Sequence, residues 1–185
     1  MKKRILLSVL CAPALALAQD PGRDDLSYTY AELRYVDVDE NGGDGLRFNG
    51  SYDLGNNWII VGGITSIEFN QNVDYTALEL GGGYVYPYNS DFDLVATARF
   101  VDAEVDTPVG DADDSGIALS AGLRGLIAPQ FEVRGSVNYV DIADSDTYLE
   151  LAGDYYFTRQ FAAGLSVEFA GDSDVITVGG RWFFR

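Results

Sequence analysis

Twelve charged side chains share the polar register of segments that otherwise alternate apolar and polar residues: Glu32, Arg34, Arg47, Glu79, Arg99, Arg124, Glu132, Arg134, Glu150, Asp154, Glu168 and Arg181. A planar guanidinium donates two parallel hydrogen bonds to a carboxylate, so such residues on one face of a sheet can satisfy each other. Left unpaired away from water, each would be costly. If the sheet closes with this face inward, two outcomes are open: a charged constriction that selects ions, or a polar core that plugs the interior. Interior room grows with strand number and an eight-stranded barrel is nearly filled by side chains, so the plug is the expected outcome for ten.

A second constellation is acidic. Asp37-Val38-Asp39-Glu40-Asn41-Gly42 follows the first half of a calcium-loop pattern, with Asp37, Asp39 and Asn41 as alternate oxygen ligands and a glycine for the turn. The twelfth position holds Phe48 where a glutamate belongs, and the segment joins strands, not helices. Asp111 and Asp113 lie in a similar oxygen-rich stretch, as do Asp141, Asp144 and Asp146. Solubilising turns are the plainer reading, and weak Ca2+ binding by neutralisation of clustered carboxylates is the alternative. No other cofactor is expected.

Catalysis is not expected. The chain has no histidine, which removes the usual imidazole base. Its one cysteine, Cys11, lies in the leading segment. No acidic pair is set apart by a motif, and Gly81-Gly82-Gly83 is not followed by the helix a phosphate loop needs.

Residues 1–18 carry Lys2, Lys3 and Arg4, an apolar stretch from Ile5 to Leu17, and Ala16-Leu17-Ala18, the composition of a secretory signal cleaved after Ala18. Residues 19–185 are then one domain with nine positive residues, all arginine, against 29 acids. Such a surplus argues against nucleic acid as a partner. No later apolar run reaches the roughly eighteen residues of a membrane helix, so a membrane crossing would fall to strands.

Alternation predicts ten strands, at 26–38, 45–54, 58–69, 75–86, 92–104, 116–127, 131–142, 148–157, 161–170 and 175–184, each near the roughly nine to eleven residues that a tilted strand needs to cross hydrocarbon. Four short connections hold turn residues or a polar break: Gly55-Asn56-Asn57, Pro87 to Ser90, Ala128-Pro129-Gln130 and Thr158-Arg159-Gln160. The other five are acidic: Asp39 to Asp44, Asn70 to Asp74, Asp106 to Ser115, Ala143 to Thr147 and Gly171 to Asp174. Trp58, Tyr84, Tyr86, Phe92, Phe131, Phe157, Phe161, Trp182 and Phe184 gather beside the short connections or the C-terminus, as an interfacial girdle would.

The opening segment Leu26-Ser-Tyr-Thr-Tyr-Ala-Glu-Leu-Arg-Tyr35, the repeated hairpins and the closing Val178-Gly-Gly-Arg-Trp-Phe-Phe184 resemble the small OmpX/OmpA-like barrels of Gram-negative outer membranes, and the broader group of outer membrane protein beta-barrel domains. The chain departs from the pattern by ending in Arg185 and by reading as ten strands where eight are usual. The resemblance implies an all-β, antiparallel, up-and-down transmembrane barrel of ten strands, or eight if the shorter ones form an extension. It implies an outer-membrane location, contact with lipid and lipopolysaccharide, and insertion by the barrel-assembly machinery. Oligomeric state stays open. The expected role is structural or surface-interacting, through the acidic loops; a narrow cation-preferring pore and a soluble periplasmic ligand-binding barrel are the alternatives.

Overall fold

The computed structural model describes residues 26–39, 42–70, 72–171 and 173–184. The leading segment read as a signal lies outside them, as do Glu40 and Asn41. Among the described residues every regular element is a strand: β1 (Tyr30–Val38), β2 (Gly43–Gly55), β3 (Trp58–Phe69), β4 (Val73–Pro87), β5 (Phe92–Thr107), β6 (Gly110–Ala128), β7 (Phe131–Ile142), β8 (Asp144–Thr158), β9 (Phe161–Ala170) and β10 (Ser173–Phe183). Each pairs antiparallel with its sequence neighbours, and β1 pairs with β10 to close the barrel. All ten strands belong to that ring, so the eight-stranded alternative is set aside. Closure leaves no free sheet edge around the ring.

Side-chain period fixes the register. Shifting a strand by one residue would swap its two faces, and here one face is apolar over the middle of the barrel while the other carries the charges. Leu33, Phe48, Ile64, Leu80, Phe100, Leu119, Val137, Leu151, Leu165 and Val178 point outward, one from each strand, and are exposed. The glycines of β4 serve the closeness of the ladder. A Cβ at Gly81 would stand 2.0 Å from the Ala98 carbonyl oxygen, so that rung tolerates only glycine.

At the end where the described residues begin and end, hereafter the terminal end, the turns are tight. Asn56 and Asn57 adopt φ of 52° and 70°, the left-handed pair that matches a two-residue hairpin turn to strand twist. At the distal end the strands run further than the sequence predicts. β5 and β6 pair all the way to Thr107 and Gly110, so the acidic stretch from Asp106 to Ser115 is mostly ladder, and β8 begins at Asp144. Aspartates are poor strand formers, which is why these segments read as loops. The ladder nevertheless continues because their carboxylates point to water while Val101, Ala103 and Val140 point in.

β1 departs in the other direction. It begins at Tyr30, not at residue 26, because Leu26 to Tyr28 leaves the ladder, Thr29 still accepting from the Phe184 amide at 3.0 Å, and Tyr28 is carried under the barrel, where it is buried against Ile59 and Val85.

Candidate functional site

Read from the terminal to the distal end, the inward residues of several strands give the same order. Along β1 they are Tyr30, Glu32, Arg34, Val36 and Val38; along β5, Asp93, Val95, Thr97, Arg99, Val101 and Ala103; along β7, Glu132, Arg134, Ser136, Asn138, Val140 and Ile142. The lumen is therefore layered: an aromatic floor, an ion-pair layer, a polar chamber and an apolar collar.

The floor packs Tyr156, Ala162 and Phe183 with Tyr30 and Leu126, and the Tyr156 and Phe183 rings stack with centroids 5.3 Å apart. Beside them the Tyr28 hydroxyl donates to Asp93 at 2.9 Å, and Arg124 donates from Nη1 to the Ser27 carbonyl at 3.0 Å while lying 4.6 Å over the Tyr28 ring. Burial holds the Tyr28 phenol above its ordinary range, against the pull of the Arg124 guanidinium and aided by the Asp93 carboxylate. The segment preceding β1 thus acts as a strap across the terminal mouth.

Above the floor, Arg181 of β10 donates from Nε and Nη2 to Glu32 Oε2 at 2.9 and 2.6 Å, and from Nη1 to Glu132 Oε1 at 2.8 Å. Arg124 of β6 grips the same Glu132 with two parallel bonds of 2.9 Å, and the Tyr156 hydroxyl donates to it as well. Arg34 joins Glu32 at 3.0 Å to Asp154 at 2.9 Å. Arg134 completes the layer through looser contacts, 3.3 Å to Asp154, 3.6 Å to Glu32 and 3.8 Å to Glu132. β1 and β10 form one wall and β6, β7 and β8 the opposite one, so these seven side chains bridge the full width of the lumen. Glu132 and Arg181 are 0% and 1% exposed. Charges so far from water are tolerated only because each carboxylate meets several guanidinium donors.

The chamber lies next, with a volume of about 230 Å³, and Asn49, Ser120, Ser136 and Glu150 are part of its lining. Two further ion pairs stand at its wall, Arg99 to Glu79 at 2.6 Å and Arg47 to Glu168. At about 30 Å³ of liquid volume per water, a polar space of this size suits several water molecules.

An apolar collar follows on the distal side. Val36, Val101 and Ala118 are 0%, 2% and 1% exposed, and Val38, Ile67, Ala77 and Ala103 are buried with them. Tyr75 packs against both halves of this layer.

Outside the barrel, polarity turns over at the level of the collar. Below it the outward positions are apolar and the inward ones charged. Above it Asp37, Asp44, Glu68, Asp74, Asp102, Asp141 and Asp174 point outward while valine, alanine and isoleucine point inward. On β5 the switch occurs between Phe100 and Asp102. The lower band suits hydrocarbon and the upper one water. A soluble barrel would carry polar residues outside along its whole height, so that alternative does not fit the band.

All twelve charges singled out in the sequence face inward, seven in the ion-pair layer and Arg47, Glu79, Arg99, Glu150 and Glu168 around the chamber. Of the five oxygen ligands considered for Ca2+, four lie among the described residues, all at the distal end. Asp37 is on the outward face of β1, and Asp39 bonds through its backbone amide to the Asp174 carbonyl at 3.1 Å. Asp111 and Asp113 sit on β6, and Asn41 lies outside the described residues. Among the described residues no group of three or more acids, histidines or cysteines is placed to hold a metal. Sequence reasoning missed Tyr28, Asp93, Tyr156, Phe183 and the collar. Phe183 and Tyr156 share the two-residue register of Arg181 and Asp154, a signal that could have placed them inside. Nothing local marks Tyr28.

A family model described as "Outer membrane protein beta-barrel domain" matches residues 5–169. No curated protein matches the sequence. Among solved structures, the KdgM porin is similar at 13% identity with a TM-score of 0.52, over 84% of this chain and 99% of that one. The NanC porin is similar at 8% identity with a TM-score of 0.50, over 84% of this chain and 100% of that one. Likeness at these identities concerns the fold alone.

Proposed function

The chain belongs to the outer membrane protein beta-barrel domain family, and from that membership and the layered lumen we propose that it is a closed structural barrel of a Gram-negative outer membrane. In this reading the terminal end faces the periplasm and the acidic strand extensions face outward. The observation that carries it is the ion-pair layer, in which Glu32, Glu132 and Asp154 bind arginines from opposite walls with side chains almost wholly removed from water. An open pore needs a continuous wet path, and here a charged lattice and a packed collar both cross it. The porin neighbours share the architecture; their transport does not carry over at such low identity.

Short distal turns also shape the interaction side of this role. The surface offered outward consists of rigid acidic strands, chiefly the β5–β6 hairpin, and not of long loops. Contacts made there would favour cationic partners or anionic ones bridged by divalent ions.

Planar-bilayer recording of the refolded protein tests the closed reading. The expected result is no discrete conductance steps above the lipid baseline. Regular steps with cation preference would instead favour the narrow pore.

A further inference from the structure

The chamber is separated from the periplasmic mouth by charge and from the outside by apolar packing. These are different kinds of barrier. An ion-pair layer resists passage only while its partners stay matched, since a passing ion can exchange with one of them. A dry apolar layer offers neither hydrogen bonds nor countercharge, so water leaves it and ions do not enter. The collar has both properties needed for such a seal. Its buried members are Val36 and Val38 from β1, Ile67 from β3, Ala77 from β4, Val101 and Ala103 from β5 and Ala118 from β6, and the half-buried Val140 and Ile142 of β7 and Val175 of β10 pack against them. It also stands directly beside charged groups, because Arg99 pairs in register with Ala118 and Glu79 with Val101.

We infer that the collar is a dewetting seal that keeps the chamber closed to ions and small polar solutes arriving from the outer side, independently of the ion-pair layer below. This rests on the closed-barrel reading and assigns the outer closure to a particular set of residues. The outward acids at the same level support it. They keep the wall of this section soluble while its interior stays dry, so it is built like the core of a water-soluble barrel set on top of a membrane one.

The test is thiol accessibility from the outside of intact cells. Ser120→Cys places a thiol in the chamber and Asp113→Cys one on the outer face, both in a Cys11→Ser background, and both are treated with a small anionic methanethiosulfonate. With the collar unaltered, the chamber thiol reacts at least about a hundredfold more slowly than the outer one. Val101→Thr, which keeps the side-chain shape but adds a hydroxyl, raises the chamber rate by about tenfold or more. Glu132→Gln, in the ion-pair layer, leaves it unchanged. Val36→Thr serves as a second collar variant if Val101→Thr does not fold, folding being read from the heat-dependent shift in gel mobility. Rapid labelling behind an unaltered collar overturns the inference. So does a folded collar variant whose chamber thiol stays silent, or labelling that responds to Glu132→Gln and not to the collar. Conductance steps in the wild type would defeat the closed-barrel reading itself; bilayer silence combined with collar-insensitive labelling would defeat only the seal.

Discussion

Glu132 illustrates how much one carboxylate can organise. It accepts from Arg124, Arg181 and Tyr156 at a position of zero exposure, so its removal takes both carboxylate bonds from Arg124 and one of three from Arg181. Glu132→Ala is expected to cost about 3–5 kcal/mol, and Arg124→Ala with Glu132→Ala less than the sum of the single changes, measured by urea unfolding in detergent or lipid. Tyr28 makes a smaller, pH-dependent contribution. Its phenol is raised above the unfolded value of about 10, so the strap's stabilisation is complete below that pH and is lost as pH rises through and beyond it. Wild type should exceed Tyr28→Phe by about 1 kcal/mol at pH 9, the worth of one hydrogen bond, and the gap should close toward pH 11. A gap that stays constant would mean the phenol does not carry that titration.

At the scale of the strand, the distal ladder holds an electrostatic conflict. Asp37 faces Asp44, Asp44 faces Glu68, Glu68 faces Asp74, Asp74 faces Asp106 and Asp106 faces Asp111, one row of carboxylates across β1 to β6. Like charges directly opposite destabilise a pair of strands, by the same few tenths of a kcal/mol up to about 1 that opposite charges contribute. Salt, or magnesium at lower concentration, should therefore raise the unfolding temperature, and Asp74→Asn should raise it at low salt with the advantage shrinking at high salt. An unfolding temperature insensitive to ionic strength would show that the row is already neutralised. Much of each strand was legible from alternation alone: the lipid-facing sets of β2, β7, β8 and β9 follow from period two. The distal ends were not, because Asp and Gly signal turns wherever they cluster, and only the inward Val101, Ala103 and Val140 reveal that pairing continues. Candidate site residues were legible to the extent that they shared the charged register. The collar was hidden because its valines and alanines looked like more of the apolar face.

Across the whole molecule, the two faces of one sheet exchange character along its height. Below the collar the lipid-like outside is apolar and the inside charged, with arginines and carboxylates balanced six to six among the twelve lumen residues. In the upper part the outside is acidic and the inside dry. That exchange fixes where hydrocarbon ends, closes the lumen twice by different physics, and confines the surplus of negative charge to water. The expectation of acidic loops thus becomes a rim of acidic strands.

A spin-label series along β5 tests this account most directly. Labels at Ala98, Phe100, Asp102 and Glu104 all project outward, and those at Arg99, Val101 and Ala103 inward. In lipid vesicles the account predicts oxygen-accessible, nickel-protected labels at 98 and 100, nickel-accessible labels at 102 and 104, and inward labels shielded from both. Oxygen accessibility that continues unchanged through 102 and 104, or nickel access to the inward positions, would contradict it.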